Sequence, residues 1–335
     1  MKLGLNDHTF LAAGKMFDAL EILKEAHSLG LSGVHFSTLW SFKSLSDEYL
    51  RQVWRWSEDH DLYLEVGMGA CNPYSDCKLE RDRDRDPRET LREVIPVAAK
   101  LGSPVVRTFF GFIKERFFVE PTLKEQITAT VEVLREVRKL AIDCNVSIAV
   151  ENHLALTSSE LRDLVERAGP DYVGVCFDTG NPLALLEEPV EALENLLPYV
   201  CSTHFKDGIL CSAETGAVWR SVPLGEGSVN LKAIAEGIYE VQPEVNLNIE
   251  DLWDVFPVPI FDDTFIKSLK HLTPTGMVQV IRWLRKGDSM LSGNEVLPLE
   301  DFEKEERRKI IRERISENIE RGRKLLAEYE IWGAA

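Results

Sequence analysis

Short apolar, β-branched runs alternate along this chain with longer stretches whose apolar residues recur every three or four positions. The runs at 3–6, 33–36, 62–67, 105–110, 146–150, 172–177, 199–203 and 245–249 predict eight strands. The helical period predicts helices over 16–29, 46–60, 87–101, 122–144, 159–168, 182–197 and 231–239, with Ser46 capping the second. The strand runs lack strict alternation, as expected when both faces of a strand are buried. Strands separated by helices imply a parallel sheet, and eight of them close a barrel. An open doubly wound sheet is the competing topology. It would place a GxGxxG turn after the first strand, and Gly4-Leu5-Asn6-Asp7-His8 supplies none. The expected fold is therefore α/β, a (β/α)8 TIM barrel with a C-terminal helical extension.

Some segments depart from the βα rhythm. Residues 208–227 read as an excursion before the helix at 231–239, and a charged stretch at 80–86 leads into the helix at 87–101. Beyond Asp254, 265–272 reads as the last barrel helix. Residues 273–298 hold a short helix at 277–285 and a turn at Lys286-Gly287-Asp288. A charged helix then spans 300–329, with Ile310, Ile311, Ile315, Ile319, Leu325 and Leu326 as its apolar positions. Residues 1–273 form the expected barrel, and 274–335 an extension packed on it or at a subunit interface. There is no internal repeat beyond the βα unit and no low-complexity linker.

Composition narrows the class. Hydrophobic residues make up 44% and charged residues 28%, ordinary for a globular protein with a large core. Acidic residues outnumber basic ones 56 to 39, a net charge of −17 that opposes nucleic acid and anionic membranes as partners. The six cysteines are scattered without a CxxC pair, reading as thiols in a reducing compartment. With no signal-like segment and no apolar run long enough to span a bilayer, a cytoplasmic location is expected.

Chemistry enters at the ends of the last four strands. Glu151-Asn152-His153, Asp178-Thr179-Gly180-Asn181, His204-Phe205-Lys206-Asp207 and Glu250-Asp251 each follow an apolar run directly. Charges at the ends of buried strands are costly unless compensated, and the carboxyl ends of barrel strands form the reactive face. Alone, Glu151 could be a helix cap or a surface ion pair, Asp178 a cap for the helix at 182, and His204 a satisfied core histidine. Together, Glu151, Asp178, His204 and Glu250 offer three carboxylates and one imidazole at spacings of 27, 26 and 46 residues, a donor set for a divalent cation. Mn2+ is the expected ion, with Mg2+, Co2+ and Zn2+ as alternatives.

The succession Glu-x-His, Phe-Asp-Thr-Gly-Asn, His-Phe-Lys-Asp, Pro-Leu-Gly-Glu-Gly and Ile-Glu-Asp resembles the xylose-isomerase-like TIM barrels of the sugar phosphate isomerase/epimerase group. The resemblance covers roughly residues 1–254 and is specific from 146 onward. It implies one catalytic divalent metal held by Glu151, Asp178, His204 and Glu250. Branches of this group include hydroxypyruvate isomerase, D-tagatose 3-epimerase, 3-oxo-isoapionate decarboxylase and the large subunit of C-glycoside deglycosidases. In its epimerases the positions matching Glu151 and Glu250 act as acid and base on opposite substrate faces. Some C-glycoside-cleaving relatives use a histidine at the place of His153. Arg220 to Gly227 matches an Arg-x-x-Pro-x-Gly-x-Gly segment that shapes substrate contacts, which implicates Arg220 and Glu226.

The chemistry this implies is a metal-polarised carbonyl, a metal-stabilised enediolate and a base that moves the neighbouring proton. Glu151 and His153 share a facing on a strand, so His153 is a candidate base, or else a residue that orients Glu151. Lys206 is expected to face away from the ligand His204 unless the strand bends; it would neutralise an oxyanion or pair with Asp207. His8 is placed at the pocket rim and His35 near it, with Trp40, Phe109, Phe110 and Trp253 as candidate walls. The expected function is isomerisation or epimerisation of a keto sugar or sugar derivative. The alternative is a lyase using the same electron sink, either a 3-oxo sugar-acid decarboxylase or a C-glycoside deglycosidase large subunit. The long tail and the Glu-Asn-His motif favour that alternative. An endonuclease IV-like activity would need a trinuclear zinc cluster and more histidines than these seven, three of which (His27, His60, His271) fall on expected helices. A non-catalytic subunit would have no need of the full ligand set. The expected partners are a small sugar or sugar-acid substrate, and a second copy of the chain or a small partner subunit.

Overall fold

In a computed structural model, which describes residues 1–14, 18–75, 85–214, 216–252, 254–291 and 304–327, the apolar runs become the staves of a barrel. Its strands are β1 (Leu3–Asn6), β2 (Gly33–Phe36), β3 (Tyr63–Ala70), β4 (Val105–Phe109), β5 (Ser147–Glu151), β6 (Val173–Asp178), β7 (Val200–His204) and, after two further strands, β10 (Leu247–Ile249). All are parallel, in the order β10-β1-β2-β3-β4-β5-β6-β7. Between β7 and β10 the ring is drawn together at one residue. Phe205 N–H donates to the Asn248 carbonyl (2.7 Å) and its own carbonyl accepts from Glu250 N–H (3.0 Å). The expected TIM barrel is thus present and nearly closed.

The outer helices start where the sequence offers caps. A six-residue helix α1 (Asp7–Ala12) leaves β1 directly, capped by Asn6. Asp18 and Glu21 form a capping box on α2 (Ala19–Ser28), and Ser46 caps α3 (Asp47–Asp59) as expected. Asp86 caps α4 (Pro87–Lys100). The single helix expected at 122–144 is two, α5 (Leu123–Glu136) and α6 (Arg138–Asp143), parted at the buried Val137, where φ is −101°. Thr157 and Glu160 cap α7 (Ser158–Ala168). The helix expected at 182–197 is interrupted because Pro189 has no N–H to continue a preceding turn. Residues 181–185 form a 3-10 turn, and Glu188 caps a fresh helix, α8 (Pro189–Leu196). The helix α9 (Leu231–Val241) completes this part of the ring.

The excursion at 208–227 is a β-hairpin. Its arms β8 (Asp207–Ala213) and β9 (Gly216–Val222) join β11 (Val255–Val258) in an antiparallel sheet of order β11-β9-β8. The short helix α10 (Asp263–Ser268) does not stand beside β10 as the last barrel helix should. It packs on the turn at 113–117, where Arg116 donates to Ser268 Oγ (3.2 Å) and to its carbonyl (3.1 Å).

The turn expected at Lys286-Gly287-Asp288 is corrected. The helix α11 (Pro274–Leu291) runs straight through it, packed along β8. A Cβ on Gly287 would lie 2.1 Å from the Leu210 carbonyl oxygen, so this glycine is there for close approach of helix to strand. Asp288 accepts from Ser212 N–H and Oγ, each at 2.7 Å. Gly287→Ala is expected to destabilise the fold by about 1–3 kcal/mol, the usual cost of overpacking, read as a lower urea midpoint. An unchanged midpoint would show that helix and hairpin slide apart without cost.

The charged C-terminal segment forms α12 (Lys304–Ala327), which lies against β10, α9 and α1. Ile311, Ile315, Ile319 and Leu326 are buried, and Gly322 faces Leu3 and Ile249. Arg312 donates to the Ala13 carbonyl, and Arg323 to those of Leu29 and Gly30. It therefore fills the outer-ring place that a helix following β10 directly would take. Trp253, Cys77 and parts of the expected segments at 16–29, 80–86, 273–298 and 300–329 lie outside the described residues. Among the described residues, the five cysteines are free, and no helix is long and apolar enough to cross a membrane.

Candidate metal centre

Strands β5, β6 and β7 end side by side, and their last residues converge at the carboxyl face. Ligand atoms of Glu151, Asp178 and His204 all lie within 4.8 Å of one another, and all three side chains are buried. Glu250, just past β10, joins them with Oε1 3.5 Å from His204 Nδ1. Asn152 locks two strand ends together. It donates to the Asp178 carbonyl (2.8 Å) and accepts from Asp178 N–H (2.6 Å). Asp178 Oδ1 in turn accepts from Gly180 and Asn181 N–H, both at 2.9 Å, which aims its other oxygen at the cluster.

Lys206 points into this cluster, contrary to the expectation that it faces away. His204 and Lys206 are two residues apart, the period of a strand, and so share a face. Thr179 holds that geometry, its hydroxyl accepting from Lys206 N–H (2.9 Å) and donating to the Lys206 carbonyl (2.5 Å). The ammonium lies 2.8 Å from Asp178 Oδ2 and 2.9 Å from Glu250 Oε2, with the Trp219 ring of the hairpin beside it. Its partner is therefore not Asp207, whose carboxylate gathers the N–H groups of Gly208, Gly225, Gly227 and Val229.

Two groups here were not sequence-based candidates. Arg107 on β4 clamps Glu151, with Nε 2.6 Å from Oε2 and a second nitrogen on the same oxygen, while Asn181 donates to Oε1 (3.1 Å). Glu65 on β3 lies deeper, accepting from Ser202 (2.5 Å), Asn248 (3.0 Å) and Asn246 (3.2 Å). His35 sits between, its Nδ1 3.0 Å from His204 Nε2, which also meets Asn6 Nδ2 at 3.0 Å. His35 thus lies beneath His204 rather than at the pocket rim. The visible signal for both missed groups was a charge inside an apolar strand run.

The electrostatics follow from burial set against these partners. Burial would raise the Glu151 carboxyl, but Arg107 and His204 outweigh it and hold it well below the usual carboxylate range. Burial likewise opposes His204 and Lys206 at Glu250, yet they bring it down to about 2. At Asp178 burial prevails and lifts the carboxyl to about 6, with Lys206 opposing and the Glu151 and Glu250 charges adding to the rise. Burial would lower His204, but Glu250 and Glu151 raise it.

His204 Nδ1 bears on what the cluster fits. It is buried, makes no well-aligned hydrogen bond, and stands 3.4 Å from Glu151 Oε2 as well as 3.5 Å from Glu250. Asn6 Nδ2 can only donate, so Nε2 accepts, and Nδ1 facing two carboxylates calls for a proton or, in its place, a metal ion. A divalent ion with mixed carboxylate and imidazole ligands meets that need.

A cavity of about 250 Å³ opens above the cluster. Arg107, Glu151, Lys206 and Glu250 form its polar lining, with His8 and Asp254 also contributing and Phe109, Phe112, Leu154, Leu252 and Phe256 supplying apolar wall. His153 lines it too. Its Nδ1 donates to the Gly111 carbonyl (2.9 Å), and its ring packs against Phe109 and Phe112. A carbonyl only accepts, so the proton is on Nδ1 and the Nε2 lone pair is left available. Burial lowers this histidine to about 4. Its hydrogen-bond partner is the Gly111 carbonyl rather than the Glu151 carboxylate.

Arg220 and Glu226 are not brought to this cavity. Arg220 pairs in register with Ile209 and Val255 within the hairpin sheet, and the half-exposed Glu226 carboxylate meets Arg321 of α12. Phe110 is buried away from the lining, and Trp40 borders a separate cleft beside Lys43.

Comparison with known proteins shows the family and the fold. The family described as Xylose isomerase-like TIM barrel matches residues 23–286. The chain is 24% identical over 162 residues to 3-oxo-isoapionate decarboxylase of Pectobacterium atrosepticum, an overlap of 48% of this chain and 56% of that one. It spans about half the length of the curated relatives it matches. Among solved structures, D-psicose 3-epimerase with D-tagatose from Clostridium cellulolyticum superposes with a TM-score of 0.56 at 16% identity, covering 85% of this chain and 99% of that one. The IOLI protein with a bound zinc atom gives 0.58 at 17%, with the same coverage. At such identities these likenesses show the fold.

Proposed function

The chain belongs to the Xylose isomerase-like TIM barrel family, and from that premise we propose a divalent-metal-dependent enzyme that moves a proton beside the carbonyl of a keto sugar or sugar derivative. The observation that carries this reading is a buried Glu151–Asp178–His204 cluster at the floor of a cavity whose wall presents a histidine with a free ring nitrogen. Glu250 is proposed as the fourth ligand. Mn2+ is the first choice, because oxygen donors dominate the set; Mg2+, Co2+ and Zn2+ are alternatives. When bound, such an ion polarises a carbonyl and offsets charge developing on its oxygen.

His153 is assigned the base. Gly111 fixes its tautomer, so Nε2 takes the proton from the carbon facing the cavity wall. Lys206 supplies a buried positive charge beside the reacting oxygens, and His8 contributes to substrate binding at the rim. Phe109 and Phe112 keep water from the base.

Sugar isomerisation or epimerisation is the broader reading. A specific observation favours the second, a lyase with the same electron sink. Two-faced epimerisation by carboxylates needs Glu151 and Glu250 free to exchange protons, whereas Arg107 grips the first and Lys206 the second. One unencumbered base suits elimination beside a 3-oxo group, in which it takes the proton next to the carbonyl as the aglycone of a 3-oxo C-glycoside leaves; decarboxylation of a 3-oxo sugar acid would instead pass the C–CO2 electron pair to the same sink and return a proton to that carbon. Purified protein should lose turnover on chelation and regain it with Mn2+. In deuterated water, CO2 or aglycone release supports the lyase, and carbon-bound deuterium without cleavage supports isomerisation. Neither outcome from metal-replete protein across keto sugars and 3-oxo sugar acids overturns the proposal.

A further inference from the structure

The segment carrying Glu250 leaves the barrel after a very short strand. β10 has three residues, it meets β7 only through the Phe205 main chain and the Thr203 hydroxyl among the described residues, and the next described strand begins at Val255. A ligand on so short a stave needs another anchor. We propose that α12 provides it: Arg314 and Asn318 set the position of Glu250 by holding Asp251, the next residue along the chain.

Adjacent residues of an extended chain point to opposite sides. Glu250 turns inward to the cavity, and Asp251 turns outward to the helix. The Asp251 carboxylate is buried, with Oδ2 2.7 Å from Arg314 Nε and 2.7 Å from Asn318 Nδ2. Arg314 and Asn318 lie one turn apart on the same face of α12. Asn318 also accepts from Leu224 N–H (2.9 Å), which ties the loop after β9 to the same point. The Asp251 backbone N–H is held from the other side by Thr9 Oγ1 (3.1 Å).

Stability alone does not call for this arrangement. A buried ion pair gains little over well-packed apolar side chains of similar size, because both charges lose their hydration. What it adds is a single permitted register between helix and strand end. Arg314 and Asn318 are therefore positioning residues, and their effect should appear in metal affinity, mediated by Glu250. The inference rests on the metal reading given above.

Calorimetric titration with Mn2+ tests it, on the full chain and on Arg314→Met, each with and without Glu250→Gln. Arg314→Met is expected to weaken Mn2+ binding by about tenfold or more, the usual range for groups that orient ligands. That penalty should vanish in the Glu250→Gln background, and Arg314→Lys should recover part of it. Ile319→Ala, which trims the same helix without touching Asp251, should lower the melting temperature and leave the affinity alone. If Arg314→Met does not fold, Asp251→Asn carries the same cycle at constant shape. A folded variant with unchanged affinity, or an equal penalty in both backgrounds, overturns the proposal. Wild-type protein that binds no Mn2+ sinks the metal reading instead.

Discussion

His153→Asn is expected to fold, to retain its metal, and to turn over about 10²- to 10⁴-fold more slowly, the contribution typical of a positioned general base. Asparagine can still donate to the Gly111 carbonyl, so the loop keeps its anchor, but no nitrogen remains where Nε2 faced the cavity. KM should change little, because the loss falls on proton transfer rather than on binding. Steady-state kinetics together with metal content by mass spectrometry checks this. A variant with near-normal kcat would return the base role to Glu151 or Glu250 and would favour the two-carboxylate epimerase.

Asp178→Asn is expected to abolish metal retention. The substitution keeps the shape and an oxygen for the Gly180 and Asn181 N–H groups, yet removes one of the negative charges around His204. It also strips Lys206 of a partner inside a buried site. Breaking a buried charge cluster on one side costs about 3–5 kcal/mol, equivalent to roughly two to four decades in affinity. Wild-type protein should show a melting temperature that climbs with added Mn2+, as any ligand of the native state requires, and the variant should show none of that rise. An Mn2+-dependent shift of wild-type size in Asp178→Asn would remove this residue from the ligand set.

Sequence pattern carried the ring a long way. Buried parallel strands are nearly continuous apolar runs, and a carboxylate or imidazole directly after such a run stands out, which is why Glu151, Asp178, His204 and Glu250 could be picked out as residues the fold brings together. Charges within the runs were harder to interpret. Arg107 and Glu65 look like interruptions of a strand until their partners on β5, β7 and β10 are known, and those partners lie up to 183 residues away. Lys206 enters the cluster, as its two-residue spacing from His204 on an extended chain requires.

Contacts distant in sequence account for the remaining differences. Gly287 has the residue type of a turn, but its meaning depends on the Leu210 carbonyl. Arg220 and Glu226 sit in the segment that implied substrate contact, yet the antiparallel pairing of β9 and the pull of Arg321 take them elsewhere. The helix beside β10 could not be found by proximity in sequence, because 265–272 was the nearest helical stretch and α12 begins more than fifty residues after that strand.

That late-arriving helix bears on how the molecule is made. On a ribosome, the apolar seam along Leu3 and Ile249 must wait for residues 304–327 to emerge before α12 can cover it, so the nascent barrel stays unsealed until then. A premature stop ahead of α12 would then yield a sticky, chaperone-dependent product rather than a slightly shortened protein.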